Sequence, residues 1–272
     1  MRHIDEAAVT NAAFWEQEVV QGGGHTLPWL DLDLDRLRRY LQGELDNDGI
    51  VGRKEPRRMV NMQPGDVHAL GDVAGKDVLC LGCGGGQQSA LFSLLGACVT
   101  VVDIAQGQLA GDKIAASHYE YEVTTIQGDM RDLSALQSES FDIVFGLSTC
   151  YVPDIRQVYL EVSRVLRVGG LYSTCMEQPA ARPIEWDGAH YRLTQPYAGR
   201  NDDPEDEDGT MCFTHYMDDT FNGLIDAGLS LFHVEDRSRH KWPGAGAKPG
   251  SWTHEHAYVG GTFWIFARKA GS

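Results

Sequence analysis

LCLGCGGGQQS, residues 79–89, joins an apolar run to a segment with helical spacing, and four of the five residues from 82 to 86 are glycine. Glycine inside an ordered element costs about 0.5–1 kcal/mol relative to alanine, so such a cluster usually marks a tight turn or a ligand lying against the main chain. We therefore expect a strand, a turn and a helix here, with the bare backbone of the turn facing a ligand.

The residues around this stretch alternate regularly between strand and helix patterns. KDVLCL, CVTVVDI, EVTTIQGD, FDIVFGL and LYSTCM have the composition of buried strands, and helical segments separate them between residues 72 and 176. We expect Gly169-Gly170 to end the last of these helices. The tail reads as a short helix, a strand, a long loop and a final strand, TFWIFARK. This predicts an α/β fold: a seven-stranded, mostly parallel sheet with helices on both faces and one antiparallel strand near its edge.

Two segments do not follow the alternating pattern. We interpret residues 1–71 as an N-terminal helical cap on a domain of residues 72–272, and residues 177–218 as an insertion that acts as a lid. The acidic run NDDPEDEDG in the insertion is typical of a solvated loop. Both segments contain aromatic residues suited to covering a site: Trp15, Trp29, Trp186, Tyr191 and Tyr197. We expect deletion of residues 1–30 to leave the sheet folded.

The overall composition disfavours some classes of partner. The 272 residues are 42% hydrophobic and carry a formal net charge of −16, which disfavours binding to nucleic acid or to anionic membranes. The N-terminus, MRHIDEAAVTNAAF, lacks the apolar core of a signal peptide, and no window is long and apolar enough for a membrane span. We therefore expect a cytoplasmic protein with reduced cysteines. Cys80 and Cys83 form a C-x-x-C pair, but the second pair that a structural zinc site needs is missing.

VLCLGCGGG resembles the first motif of class I S-adenosylmethionine-dependent methyltransferases, in which apolar residues and an acid precede G-x-G-x-G. The three glycines are Gly82, Gly84 and Gly86, whereas a dinucleotide fingerprint would need glycine in place of Gln87. Later segments resemble the family's other motifs in order: Asp103 at the end of the second strand, QGDMRDL after the third, FDIVFGLSTCYVPD at the fourth and RVLRVGGLY before the fifth.

The resemblance implies S-adenosylmethionine as cofactor. It implies that Asp103 accepts both ribose hydroxyls, that Asp129-Met130 contacts the adenine and that the end of the fourth strand lies beneath the sulfonium. The expected cofactor-binding residues are Gly82, Cys83, Gly84, Gly86, Gln87, Gln88, Asp103, Ile104, Gly128, Asp129, Met130, Leu147 and Ser148, with Trp29, Arg57 and Arg58 closing over the methionine end. One departure stands out, because the acid of the first motif aligns with Cys80. Another residue must take over its role.

Methyl transfer is an in-line displacement at a sulfonium, so the protein mainly supplies alignment and a dry site. Tyr151, just past the fourth strand, is the catalytic candidate closest in sequence to the expected position of the methyl group. Alternatively, Tyr151 is an aromatic residue that packs on the edge of the sheet. His215 is the second catalytic candidate, and His190-Tyr191 could face the same opening; each is also typical of a surface position. His254 and His256 would share one face if THEHAY is extended. A metal site would need a third ligand, such as His240 or Glu235, whose position the sequence does not give. We expect no metal.

These observations predict a methyltransferase that acts on a nitrogen or oxygen atom of a small-molecule acceptor, more in keeping with specialised metabolism than with macromolecule modification. Two alternatives stay open. One is an NAD(P)-dependent oxidoreductase, which Gln87 and Asp129-Met130 disfavour. The other is a non-catalytic subunit that binds S-adenosylmethionine, in which Cys80 would mark a decayed motif. The sequence also leaves open whether the chain forms a homodimer.

Overall fold

The helices and strands come from a computed structural model, which describes residues 5–41, 70–199, 205–207, 209–237 and 247–271. The helices are α1 (Glu6–Gln21), α2 (Leu34–Leu41), α3 (Gln88–Leu94), α4 (Gln106–Tyr119), α5 (Ile155–Val165), α6 (Met217–Asp226) and α7 (Trp252–Val259). The strands are β1 (Asp77–Leu81), β2 (Cys98–Asp103), β3 (Val123–Gln127), β4 (Phe141–Gly146), β5 (Leu166–Glu177), β6 (Ile184–Trp186), β7 (Tyr191–Leu193), β8 (Glu205–Glu207), β9 (Thr210–Cys212), β10 (Leu229–Arg237) and β11 (Thr262–Lys269).

Seven strands form one sheet in the order β10-β11-β5-β4-β1-β2-β3. Strands β1 to β5 pair in parallel, and β11 runs antiparallel to both of its neighbours, β5 and β10. The expected sheet, with one antiparallel strand next to the edge, is confirmed. The carboxyl ends of β1, β2 and β4 meet at one edge, where open α/β sheets bind their ligands.

Alternation along β1 divides the core into two layers. Val78 and Cys80 pack in the cluster that contains residues of α3 and α4, whereas Leu79 and Leu81 pack in the cluster that contains residues of α5 and α6. Both clusters are buried, because a parallel sheet is covered by helices on its two faces. Cys80 thus lies on the face of the sheet that α3 and α4 cover.

Three local predictions differ from the structure. Helix α5 ends at Val165, and Gly169-Gly170 lie inside β5, because Leu166 already has extended backbone angles and pairs with Phe141. The loop expected before the last strand contains α7, which includes THEHAY, so the extended conformation that would have aligned His254 and His256 is wrong. The insertion is also more regular than expected, with two hairpins formed by β6–β7 and β8–β9.

The N-terminal segment belongs partly to the core. Trp29 is only 2% exposed, and it packs with Leu32 and Leu37 in the cluster that covers the α3 side of the sheet. Its backbone N–H donates to the carbonyl of Gly86, 3.1 Å away. Deletion of residues 1–30 would therefore remove Trp29 from the core, and the division into a cap of residues 1–71 and a domain of residues 72–272 stays a prediction. In the parts of the chain that the structure describes, none of the helices has the length and apolarity to cross a bilayer.

Helix α1 and the β8–β9 hairpin lie together near the carboxyl edge of the sheet. The amide of Asn11, which is 3% exposed, donates to the carbonyls of Tyr151 and Met211, 3.0 Å from each, and accepts the N–H of Met211 at 2.8 Å. One buried side chain thus connects α1, the turn after β4 and the insertion. This connection holds α1 and the β8–β9 hairpin together near the carboxyl edge of the sheet, and we call these two elements the roof.

Candidate active site

A cavity of about 580 Å³ opens at the carboxyl edge of the sheet. This volume lies in the range of ~300–1,000 Å³ that small-molecule sites occupy. Residues from β2, β5 and β11, from helices α1, α3 and α4, from the glycine loop and from the turn after β4 line it. Most of the expected cofactor-binding residues are among them: Gly82, Cys83, Gly84, Gln87, Gln88, Asp103, Ile104, Gly128, Asp129, Met130, Leu147 and Ser148.

The glycine positions of the glycine loop, residues 82–86, have no room for side chains. A Cβ atom on Gly82 would lie 2.8 Å from the terminal methyl of Met130, and one on Gly84 would lie 2.9 Å from a carboxylate oxygen of Asp103. Gly82 also has a φ of +61°, which disfavours other residues. Bare backbone therefore forms this wall of the cavity, as the motif predicted.

Gly86 and Trp29 do not line the cavity. A Cβ atom on Gly86 would lie 2.4 Å from the carbonyl oxygen of Gly111, so this glycine is required for close packing against α4. Trp29 is buried behind the same loop. The sequence placed both residues against the cofactor, but their side of the loop faces the protein. Arg57 and Arg58 lie outside the described residues.

Asp103 ends β2 and is 7% exposed. Its Oδ2 accepts the N–H of Gly84 at 2.9 Å, and its Oδ1 accepts the N–H of Ala105 at 3.0 Å. Burial raises the pKa of the carboxyl, and these backbone hydrogen bonds oppose the shift. Each carboxylate oxygen can accept more than one hydrogen bond, so both oxygens keep capacity for hydroxyl groups of a ligand.

Asp129 and Met130, after β3, lie at the same end of the cavity. The guanidinium of Arg131 pairs with Asp129 and also with Asp5, which caps the N-terminus of α1. The pairing with Arg131 lowers the pKa of Asp5. This ion-pair network attaches α1 to the adenine end of the expected site. No local sequence pattern indicates it, because Arg131 and Asp5 are 126 residues apart.

The two catalytic candidates lie in different environments. Tyr151 lines the cavity, and its ring meets that of Trp15 edge-on, with the ring centroids 5.6 Å apart. His215 does not line the cavity, and its Nε2 lies 3.0 Å from the carbonyl oxygen of Thr149. Burial lowers the pKa of His215. His215 thus supports the turn that carries Tyr151 and is not placed to contact an acceptor.

The end of the cavity near β5 and β11 was largely missed by sequence reasoning. It is lined by residues from four separate segments: Ala8, Asn11, Trp15, Cys150, Val152, Cys175, Glu177, Thr262 and Trp264. Of these residues, the sequence pattern indicated only Trp15. The others share no local pattern, because the sheet brings them together from distant parts of the chain. Their side chains are mainly apolar or aromatic, with one carboxylate, Glu177.

The other aromatic residues of the expected lid form a separate cluster. Trp186 and Tyr191 of the β6–β7 hairpin pack against His254 of α7, and the hydroxyl of Tyr191 lies 2.7 Å from Nδ1 of His254. Neither aromatic lines the cavity, and Tyr197 packs on Tyr216 instead. His190 is exposed as well. Within the described residues no three His, Cys, Asp or Glu side chains are grouped as metal ligands.

The cysteines near the cavity are packing residues. Burial raises the pKa of the thiols of Cys80 and Cys83, so neither ionises near neutral pH. The Sγ of Cys83 donates to the carbonyl of Leu81 at 3.3 Å. None of the six cysteines forms a disulfide bond. The C-x-x-C spacing therefore does not reflect a redox pair.

The residues present fit S-adenosylmethionine. Gln108 of α4 is 5% exposed, lines the cavity, and its Oε1 has no hydrogen-bond partner among the described residues. A buried acceptor of this kind calls for a donor from a ligand. The bare backbone at Gly82 and Gly84 and the remaining acceptor capacity of Asp103 suit a ribose and a methionine tail.

Comparison with known proteins agrees with this site. The model of the methyltransferase domain family matches residues 79–174. An uncharacterized methyltransferase of Bacillus subtilis (strain 168) is 32% identical over 170 residues, which cover 58% of this chain and 67% of the relative. A ubiquinone biosynthesis O-methyltransferase of Pseudomonas syringae pv. tomato is 34% identical over 134 residues, covering 48% of this chain and 58% of the enzyme. The chain thus spans little more than half the length of this second relative.

Solved structures show the same fold. An S-adenosylmethionine-dependent methyltransferase from Mesorhizobium loti superposes with a TM-score of 0.64 at 23% identity, covering 74% of this chain and 94% of that one. A geranyl diphosphate C-methyltransferase from Streptomyces coelicolor A3(2) superposes with a TM-score of 0.58 at 17% identity and covers 98% of this chain and 99% of its own. The family match excludes the oxidoreductase alternative. The chain belongs to the class I S-adenosylmethionine-dependent methyltransferases.

Proposed function

We propose that this protein transfers the methyl group of S-adenosylmethionine to an oxygen or nitrogen atom of a small molecule enclosed beside the cofactor. The observation that carries the proposal is a continuous cavity at the carboxyl edge, which joins the glycine loop to the apolar space near β5 and β11. A volume of about 580 Å³ that must also hold the cofactor leaves room for a small acceptor.

At the cofactor end, we assign Gly82 and Gly84 to the methionine tail and Asp103 to the ribose hydroxyls. Asp129-Met130 then border the adenine, and Leu147-Ser148 lie beneath the sulfur. When bound, S-adenosylmethionine supplies an electrophilic methyl group on a sulfonium. The protein's part is to hold the two reactants in line and to exclude water.

At the acceptor end, Trp15, Tyr151 and Trp264 supply aromatic walls suited to a flat, mainly apolar molecule. Asn11 fixes the backbone of Tyr151 through its carbonyl oxygen, and Trp15 packs on its ring. Tyr151 is thus held in place before an acceptor arrives, which supports a role in contacting it.

Glu177, at the end of β5, is the candidate for orienting or deprotonating the acceptor, because it is the carboxylate on the apolar side of the cavity. An alcohol stays protonated at neutral pH and gains from a nearby base, whereas a neutral amine does not need one. The similarity to ubiquinone biosynthesis O-methyltransferases favours oxygen. We place the reaction in specialised metabolism and in the cytoplasm, and a homodimer stays a prediction.

The first test is calorimetry of the purified protein with S-adenosylmethionine, S-adenosylhomocysteine and NADH. We expect both sulfur compounds to bind and NADH to show no heat of binding. A panel of phenols, catechols and aromatic amines is then assayed for release of S-adenosylhomocysteine. Cofactor binding without turnover of any acceptor would support a non-catalytic subunit instead.

Two variants separate the assigned roles. Glu177→Gln should lower kcat for a hydroxyl acceptor, while leaving the Kd for S-adenosylhomocysteine unchanged. Tyr151→Phe keeps the ring and removes only the hydroxyl, so a fall in kcat would assign the effect to that group. If both variants turn over at the wild-type rate, the acceptor does not occupy this end of the cavity.

A further inference from the structure

A buried carboxyl group lies directly behind the glycine loop. Asp112 of α4 is 0% exposed, as is Cys80 of β1, which points toward the same helix. The two are close enough for the Asp112 charge to contribute, after burial, to raising the pKa of the Cys80 thiol. Cys80 is the position where the first motif of the family has an acid. The carboxylate that β1 lacks at Cys80 and the carboxylate of Asp112 thus lie within electrostatic reach of each other.

Asp112 holds the loop from this side. Its Oδ1 accepts the N–H of Gly86 at 3.0 Å and the hydroxyl of Ser89 at 2.5 Å. Gly86 has a φ of +72°, and a Cβ atom on it would lie 2.4 Å from the carbonyl oxygen of Gly111, so a residue with a side chain does not fit here between the loop and α4. Across the described residues, Oδ2 of Asp112 has no hydrogen-bond partner. A carboxyl group buried at such cost needs a reason beyond packing.

We propose that Asp112 is a positioning residue for cofactor binding. It lies on α4 and replaces the acid that β1 lacks at Cys80. Its carboxylate fixes the glycine loop in the shape that presents Gly82 and Gly84 to the cofactor. The inference rests on membership of the family and not on the identity of the acceptor. Failure to find an acceptor would therefore leave it standing.

The surroundings of Asp112 make this support depend on pH. Burial is the main cause that raises its pKa, to about 7, while the hydrogen bonds from Ser89 and Gly86 lower it. The titratable groups that face it are Asp103 from β2, Cys80 and Cys83 from β1 and the loop, and Tyr121 after α4. Each of these groups is neutral or negative, so none of them stabilises the charge of Asp112.

The direction of the effect follows from the hydrogen bonds. An ionised carboxylate accepts the Gly86 N–H and the Ser89 hydroxyl more strongly than a neutral carboxyl does. The loop is thus held more firmly once Asp112 loses its proton. Cofactor affinity should increase as the pH rises through about 7.

The first experiment measures the Kd for S-adenosylhomocysteine of Asp112→Ala by calorimetry at pH 8. Without the carboxylate, the buried Gly86 N–H loses its partner, and we expect the Kd to rise about 10-fold or more. The control is Asp142→Asn. Asp142 also accepts a backbone N–H, from Asp77 at 2.9 Å, but it lies at the opposite edge of the sheet, so its Kd should match the wild type. An Asp112→Ala protein that binds within twofold of the wild type would overturn the proposal.

The second experiment uses Asp112→Asn, which keeps the shape and one oxygen acceptor but cannot titrate. Between pH 6 and 8 we expect the wild-type Kd to fall about 3- to 10-fold and the variant's Kd to change less than twofold. Asp103 is present in both proteins, so the difference between the profiles belongs to Asp112. Identical pH profiles of Kd for the wild type and Asp112→Asn would contradict the proposal. This test holds even if circular dichroism shows that Asp112→Ala is unfolded, because it does not use that variant. Hydrogen exchange at the Gly86 amide, measured without cofactor, should be faster in Asp112→Asn at pH 8.

Discussion

Replacement of Asp103 by alanine tests the assignment of the cofactor end most directly. The carboxylate is buried at the end of β2, and each of its oxygens already accepts one backbone N–H, from Gly84 and from Ala105. The remaining lone pairs are the acceptors that we assign to two ribose hydroxyls. Alanine removes these ligand bonds and also the anchor of the glycine loop at Gly84.

The expected magnitude follows from these bonds. A hydrogen bond to a charged group contributes about 1.5–3 kcal/mol, and two of them connect Asp103 to the ribose. Water refills part of the space in the variant, so we expect a net loss of roughly 2–4 kcal/mol, which is about 30- to 1,000-fold in Kd. Asp103→Asn should also weaken binding, because its NH₂ group would face one of the two backbone N–H donors.

The assay is titration calorimetry with S-adenosylhomocysteine, after circular dichroism has shown that each variant is folded. Asp142→Asn again serves as the control at the far edge of the sheet, and its Kd should equal that of the wild type. A folded Asp103→Ala protein with an unchanged Kd would refute the reasoning, since no ribose could then be bound at this carboxylate.

Three further predictions concern the loop and the core. Gly84→Ala should raise the Kd for S-adenosylhomocysteine about 10-fold, because its Cβ would lie 2.9 Å from the Asp103 carboxylate and force the loop to shift. Trp29→Ala should lower the free energy of unfolding, measured with urea, by about 3–5 kcal/mol, because the indole is 2% exposed. The wild type should lose thermal stability between pH 5 and 8 more steeply than Asp112→Asn. The folded state binds the Asp112 proton up to about pH 7 and the unfolded state releases it near the ordinary value of 3.8, so the free energy of unfolding falls across that window.

Each of these predictions has a matched comparison. Gly24→Ala has open space around its Cβ and should bind like the wild type. Leu27→Ala, at a position that is 37% exposed, should cost far less than Trp29→Ala. Equal losses at Leu27 and Trp29 would place Trp29 outside the core, and parallel melting profiles for wild type and Asp112→Asn would show that Asp112 does not titrate in this window.

The strands of the sheet could be predicted because buried parallel strands are continuous apolar runs separated by helical segments. For the same reason Asp103 and Asp129 could be placed at strand ends without a structure. The role of Gly86 could not be predicted in this way. Its pattern with Gly82 and Gly84 indicates a ligand, but its role depends on contact with Gly111 of α4, which no local pattern encodes.

Trp29 and Asn11 could not be assigned for a similar reason. An aromatic residue in an irregular segment is compatible with a lid or a core, and only the docking of the N-terminal segment on the sheet decides between them. Asn11 lies on an unremarkable helix, and its importance comes from partners that are 140 and 200 residues away. The acceptor end of the cavity is assembled entirely from such distant contacts.

The three hydrogen bonds of Asn11 have a consequence for the order in which the chain folds. Helix α1 is synthesised about 200 residues before Met211, its partner on β9, so the roof cannot be completed while β9 is still being made. Closing so long a loop costs entropy that only a formed sheet can offset. The sheet from β1 to β5 should therefore assemble first, with its carboxyl edge open, and the roof should close over it afterwards. A nascent chain stalled before residue 211 would present this edge to solvent, and S-adenosylmethionine could enter before the acceptor end has a wall.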